Sequence, residues 1–231
     1  MPPDHSKLLA RIPLFQGLSA EDLSSIAALA RTRHYRAKQM IVQQSDPGDD
    51  LFVIVNGHTK VVTSDAEGRD TALGIMGPSE VFGEVSLLEG AERSATIIAL
   101  EPCEMLVIER APFLEMLVNH PHLAIRLLTV LARRLRRLTE RSEDIAFRNV
   151  AGRIAKALLQ LADEYGRPEE GGRVRVMFRL SQQEIGDLIG ATRESANKHI
   201  RHWEQKGIVS QEAGHLIIHD MDALRAVANR E

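Results

Sequence analysis

A seam at Leu128, Leu131, Leu135, Leu138, Ser142 and Ile145, spaced three, four, three, four and three, most constrains what this chain can fold into. That spacing keeps one narrow stripe on a single face of an α-helix, and a partner helix covers such a stripe in a coiled coil. The helix is predicted over Pro121–Phe147, with the rest of its surface charged: Arg133, Arg134, Arg136, Arg137 and Arg141 against Glu140, Glu143 and Asp144. Two partners suit the seam: a second copy of the helix, or the domain that precedes it in this chain. The narrowness of the stripe favours the second copy. A chain of 231 residues leaves room for a modest domain on either side.

Composition is that of an ordinary globular protein, 44% hydrophobic and 26% charged, with a formal net charge of -3. A slightly acidic total does not exclude nucleic acid, because distribution matters more than sum. Cys103 is the only cysteine and cannot alone form an internal disulfide or a thiolate metal centre. Met1-Pro2-Pro3-Asp4-His5 does not begin as a signal peptide, and Leu51–Val55, the longest clean apolar run of the first half, is far too short to span a membrane. The expectation is a soluble, reduced, cytoplasmic protein with no membrane association and no metal.

Before the long helix, Ser6–Ile12 and Ser19–Ala30 read as helices. From about Tyr35 to Glu109, short apolar or alternating runs are broken by Pro47-Gly48, Asn56-Gly57, Glu67-Gly68 and Gly77-Pro78, which implies an antiparallel sandwich, roll or barrel. Asn56-Gly57, between Leu51–Val55 and Thr59–Val62, predicts a two-residue hairpin. Within this region Phe82-Gly83-Glu84-Val85-Ser86-Leu87-Leu88 is followed by Arg93-Ser94-Ala95. Gly83 lets backbone approach a ligand, Arg93 and Ser94 offer donors to a phosphate, and Glu84 accepts from sugar hydroxyls. A plain turn carrying a surface Arg–Glu pair is the alternative.

After the helix, Gly152–Glu164 is amphipathic and helical, Gly166–Gly172 reads as a loop and Val174–Phe178 as a strand. Ser181-Gln182-Gln183-Glu184 is a capping box ahead of the apolar face Ile185, Leu188 and Ile189. Gly190 turns the chain, and Thr192 caps a second helix that ends before Gly207. In that helix Ala196, Ile200 and Trp203 face inward, whereas Arg193, Glu194, Asn197, Lys198 and Arg201 face outward. Two short helices about a glycine turn make a helix-turn-helix, and Ile208–Ile218, turning near Gly214, adds a β-hairpin wing. Residues 150–231 are neutral in total, but Arg193, Lys198, Arg201 and Lys206 outnumber Glu194 and Glu204 on the groove-facing segment. A purely structural three-helix unit is the alternative.

Taken together, Phe82-Gly83-Glu84 with Arg93-Ser94-Ala95 resembles the phosphate cassette of cyclic-nucleotide-binding domains. The order of helix, β-roll, cassette, dimer helix and winged helix-turn-helix resembles the cyclic-AMP receptor/fumarate-nitrate regulator superfamily, and its cyclic-AMP receptor branch most. The resemblance implies an α+β fold. An antiparallel β-roll over 1–120 would be followed by a dimerisation helix and hinge over 121–149 and a winged helix-turn-helix over 150–231. It also implies a homodimer formed through the 121–147 helix, double-stranded DNA and RNA polymerase as partners, and no enzymatic activity. Cyclic AMP is the implied allosteric effector.

By position, Gly83, Glu84 and Val85 would lie at the ribose, Arg93 and Ser94 at the cyclic phosphate, and Arg134 would couple Glu84 to the seam. Leu138 and Thr139 fall at the family's adenine-contacting hydroxyl pair. Arg193, Glu194 and Lys198 correspond to the base-reading triplet, which implies a TGTGA-like half-site in a two-fold operator. Ser181, Gln183 and Arg201 would position the helix on phosphates, with Thr192 and Ser195 in the same DNA-contacting set. Three positions depart from the branch. Leu138 has no hydroxyl, Lys198 replaces an arginine fork with a point charge, and Gln182 replaces a basic residue. The His199 and His202 pair reads as DNA-helix surface rather than a metal site, and Cys103 as a buried structural thiol.

Overall fold

The computed structural model describes residues 5–65, 67 and 70–229. Met1-Pro2-Pro3-Asp4 and the Gly68 turn position lie outside them. Contacts divide the chain into two units. One comprises the residues up to Thr63 with Ile75–Arg137; the other comprises Ser64–Gly74 and the chain from Leu138 onward.

The first unit opens with helices α1 (His5–Leu9) and α2 (Ala20–Leu29). Ser19 and Asp22 form a capping box at the start of α2, so serine and aspartate satisfy otherwise free backbone donors. Strands follow as β1 (Arg31–Tyr35), β2 (Met40–Val42), β3 (Asp50–Asn56), β4 (Thr59–Ser64), β5 (Asp70–Met76) and β6 (Val81–Phe82). After helix α3 (Glu84–Glu89) come β7 (Thr96–Ala99) and β8 (Cys103–Glu109), then helix α4 (Arg110–Asn119) and the long helix α5 (Pro121–Phe147), although β5 up to Gly74 and α5 from Leu138 group with the second unit. Two four-stranded sheets result, in the orders β1-β8-β3-β6 and β2-β7-β4-β5, and the pairings that are defined are antiparallel.

Asn56-Gly57 does not close a hairpin. β3 pairs with β8 and β6, β4 pairs with β7, and the turn carries the chain from one sheet to the other. Gly57 has φ 87°, and a Cβ there would come within 2.6 Å of Cys103 Sγ and of the Pro102 carbonyl, so tertiary crowding selects glycine at this corner. Cys103 is buried, which together with the Glu101 charge raises its thiol to about 11 and leaves it a packing group.

The first helix ends at Leu9 and a 3-10 turn at Pro13–Phe15 follows it, so the predicted Ser6–Ile12 helix is shorter than expected. Proline supplies a fixed φ and no donor, which suits the first position of such a turn. One core joins Leu9, Phe15, Ile26, Leu51, Leu106, Phe113, Leu123 and Leu127. A second core, between the sheets, contains Phe52, Ile54, Phe82, Met105 and Val107. Helix α5 thus meets the β-domain through Leu123 and Leu127, not through its seam. Leu128 is 64% exposed, Leu135 67%, Leu138 47% and Ile145 53%.

The second unit contains α6 (Val150–Tyr165), β9 (Gly166–Pro168), β10 (Val174–Arg179), α7 (Gln182–Ile189), α8 (Arg193–Gln205), β11 (Val209–Glu212), β12 (His215–Ile218) and α9 (Met221–Ala228). Its sheet runs β11-β12-β10-β9. The first three residues of the expected Gly166–Gly172 loop are therefore a strand, paired with Val174–Val176. Ile154, Leu158, Phe178, Ile185, Ile200, Trp203, Ile217 and Leu224 are buried here. No helix among the described residues is long and apolar enough to cross a membrane.

Candidate functional sites

Strand β6 delivers the chain into Gly83, which has φ 88° and ψ 0° and caps α3. A Cβ there would lie 2.6 Å from Arg93 Nη1 and 2.6 Å from the Asp50 carbonyl oxygen, so glycine is required by both conformation and space. Arg93 is only 6% exposed. Its Nη1 donates to the Asp50 carbonyl at 2.9 Å, Ser86 Oγ at 3.1 Å and the Gly83 carbonyl at 3.3 Å. The guanidinium carbon sits 5.6 Å from the Phe52 ring centroid, and Phe52 stacks on Phe82 with centroids 4.7 Å apart.

Main-chain carbonyls and an aromatic face therefore hold this cation. Among the described residues it makes no ion pair with a carboxylate, and its Nε is buried with no acceptor. Burial disfavours the charged guanidinium and lowers its pKa, while Asp50, Asp49, Asp46 and Glu84 oppose that effect.

Glu84 is 1% exposed at the first turn of α3. Arg134 on α5 reaches it with Nη1 on Oε1 and donates Nη2 to the Val81 carbonyl. The other carboxylate oxygen, Oε2, is buried with no donor among the described residues. One short cassette thus carries a buried donor atom, Arg93 Nε, and a buried acceptor atom, Glu84 Oε2, that no other group of the described residues meets, and leaving such atoms unmet is costly. Val85 is half-buried and the Ser94 side chain is exposed.

Sequence reasoning missed Asp50, Ser86 and Phe52 as the supports of Arg93. Ser86 lies within the cassette itself. Phe52 is signalled only by its register with Phe82, and the Asp50 contribution is a carbonyl that no side chain announces.

On α5, Leu138 and Thr139 are exposed. Among the described residues, no group of three or more His, Cys, Asp or Glu side chains could hold a metal ion.

In the helix-turn-helix, Glu184 N donates to Ser181 Oγ at 3.2 Å and Ser181 N to Glu184 Oε2 at 2.7 Å, the expected capping box. Gly190 turns the chain at φ 63°, and a Cβ on Gly186 would lie 3.0 Å from the Ala191 carbonyl, so Gly186 allows close approach of the turn. Thr192 Oγ1 accepts from Ser195 N at 3.2 Å and starts α8. Ala196, Ile200 and Trp203 are buried, while Arg193, Glu194, Lys198 and Arg201 are exposed, as the outward face requires.

Asn197 departs from that expectation. It is half-buried, and its Oδ1 is buried with no donor among the described residues, because the helix turns it toward the unit's core. Ser195 is half-buried, and Gln183 donates Nε2 to Asp187 Oδ1 at 2.6 Å. His199 lies against Trp203 with ring centroids 6.1 Å apart. Burial first, then Lys198 and His202, push its pKa down. Arg175 braces the wing by bonding Glu169 and, at 2.9 Å, Glu212.

Comparison with known proteins matches both parts of the chain to families. Residues 32–120 match the family described as Cyclic nucleotide-binding domain, and residues 152–227 match the Crp-like helix-turn-helix domain. The chain is 33% identical over 218 residues to the CRP-like cAMP-activated global transcriptional regulator of Mycobacterium tuberculosis, covering 94% of this chain and 97% of that protein. It is 29% identical to the Cyclic AMP receptor protein of Thermus thermophilus, covering 94% of this chain and 96% of that one. Among solved structures, a CRP/FNR-family transcriptional regulator from Thermus thermophilus superposes with a TM-score of 0.69 at 26% identity, over 87% of this chain and 99% of that one. These relatives are transcription regulators, not enzymes.

Proposed function

We propose that this chain, which belongs to the cyclic-AMP receptor protein family of transcription regulators, acts as a homodimer that reads a TGTGA-like palindromic operator under the control of cyclic AMP. The observation that carries the ligand reading is the pair of unsatisfied buried groups in the cassette, Arg93 Nε and Glu84 Oε2. The cyclic phosphate takes Arg93, with Ser94 beside it. The ribose hydroxyl takes Glu84 next to Gly83 and Val85, and Arg134 holds Glu84 in place. The base-contacting role of Leu138 and Thr139 rests on family resemblance alone. The three-part division at 1–120, 121–149 and 150–231 belongs to this reading, as do the 121–147 helix as dimer interface and RNA polymerase as partner.

On the DNA side, Arg193 offers a fork to guanine and Glu194 accepts from a cytosine amino group, while Lys198 adds a point charge. Arg201 and Gln183 meet phosphates. Ser181 and Thr192 already serve as helix caps, so their DNA contacts come from hydroxyls that also accept backbone N–H groups. Two reading helices on a two-fold axis meet half-sites about one helical turn apart.

The test is fluorescence anisotropy of a labelled duplex with two TGTGA half-sites, titrated with and without cyclic AMP. A gain of about tenfold or more in affinity with nucleotide, equivalent to roughly 1.4 kcal/mol of coupling, is expected. No specific binding in either condition would overturn the reading. Leu138 supports a second reading, a constitutive or differently liganded regulator, because leucine cannot donate to a base edge. Equal, specific binding with and without cyclic AMP would favour that reading.

Glu194→Ala is expected to relax base choice by about 1–3 kcal/mol at one position of each half-site, leaving non-specific binding unchanged. Competition with single-base-substituted duplexes measures this. Unchanged discrimination would remove Glu194 from the reading set.

A further inference from the structure

The junction of α5 and α6 carries a second group of cations that the nucleotide cassette and the reading helix do not use. Arg141, on α5, and Arg153, one turn into α6, influence each other as like charges. Arg141 Nη2 and Arg153 Nε are both buried and have no hydrogen-bond partner. Neither side chain makes an ion pair among the described residues. Their surroundings do not compensate them. Asp144 turns Oδ1 to Arg148 Nε at 2.7 Å and Oδ2 to Lys156 Nζ at 2.6 Å, and it makes no ion pair with Arg141 or Arg153 among the described residues. Arg148 also donates to the Ala228 carbonyl. Glu140 and Glu143, the other acids of this stretch of α5, are exposed and make no ion pair among the described residues.

Two like-charged guanidiniums, each with a buried donor left unsatisfied, are stabilised when one anion accepts from both. We propose that Arg141 and Arg153 form an oxyanion site at the α5–α6 junction, and that its ligand is a free phosphate group, inorganic or carried by a small phosphate ester. Arginine suits this ligand because its planar fork matches phosphate oxygens in a bidentate way. A phosphate shared by the two side chains ties the start of α6 to the last turns of α5. A soluble phosphate compound thereby gains a handle on the helix that leads into the DNA-binding unit. The proposal does not depend on the cassette's ligand.

Inorganic phosphate, titrated at constant ionic strength into full-length 15N-labelled Arg93→Ala protein, tests the site without interference from the cassette. Saturable movement of arginine Nε–H resonances is expected, with calorimetry giving one phosphate per chain. Arg141→Gln and Arg153→Gln should each weaken binding by about tenfold or more, since each removes charge-assisted bonds. Arg153→Lys, which keeps the charge but loses the fork, should fall between. If Arg93→Ala does not fold, the same titration on wild-type protein saturated with cyclic AMP replaces it. Absence of saturable binding, or binding unchanged in both glutamine variants, overturns the proposal. A third arm separates the sources of phosphate. If free phosphate does not bind but the glutamine variants lower the salt slope of DNA binding by about one per charge, the arginines serve the DNA backbone and the free-ligand proposal fails.

Discussion

Replacing Arg93 by alanine is expected to remove the response to cyclic nucleotide and to leave a protein that still folds. The guanidinium is the one buried cation of the cassette, and it sits on Phe52 with its Nε lacking any acceptor among the described residues. Two charge-assisted bonds to a phosphate contribute about 1.5–3 kcal/mol each, so their loss weakens binding by about a hundredfold or more. The stability cost is smaller. The Gly83 carbonyl still accepts from Leu87 N and Ser86 Oγ, so the loss falls on the Asp50 carbonyl and the Ser86 hydroxyl at about 1–3 kcal/mol each, partly offset because a buried cation no longer has to be desolvated, against a total stability of roughly 5–15 kcal/mol. Calorimetric titration with cyclic AMP measures the first effect and a thermal melt the second. A folded Arg93→Ala protein that binds the nucleotide within about threefold of wild type would reject the cassette as the phosphate site.

Local chemistry makes some of this architecture legible in the sequence. Ser181 and Glu184 satisfy each other's backbone within four residues, Thr192 caps α8, and Gly83 and Gly190 take left-handed conformations. Such features depend only on neighbours in the chain. What depends on distant strands stays hidden. Asn56-Gly57 has the composition of a hairpin turn, yet the strands it joins find partners in different sheets, β3 with β8 and β4 with β7. Helix α4 lies unannounced between two stronger patterns, and α9 is short. The polarity of Asn197 predicts an outward position, but the helix rotation set by Ala196 and Ile200 turns it partly inward. At the cassette the residue types are readable. The support of Arg93 is not, since it consists of main-chain carbonyls and an aromatic face brought in by β3.

Leu128→Asp is expected to convert the proposed dimer to a monomer and to abolish operator binding at concentrations where wild type is bound. Leu128 is 64% exposed in the single chain, whereas Leu123 and Leu127, a few residues before it, already fill the contact with the β-domain. Leu128 therefore lies outside the unit's own core, and substitution there leaves that core intact. In a two-fold coiled coil each leucine is buried twice per dimer. Burial contributes about 1.5–3 kcal/mol per side chain, so losing both copies costs roughly 3–6 kcal/mol before the aspartate's desolvation is counted. That corresponds to a dimer dissociation constant raised by more than about a hundredfold. DNA affinity falls further than the dimer constant alone suggests, because a monomer engages one half-site and loses the second reading helix. Sedimentation equilibrium reads the first effect and anisotropy the second. A Leu128→Asp protein that sediments as wild type would move the interface off the seam, and a monomeric wild type would remove the dimer altogether. The charged flank of α5 sharpens the test. Arg133, Arg136 and Glu140 are exposed beside the seam, so an association held mainly by those charges would weaken with salt, whereas one held by leucine burial would not.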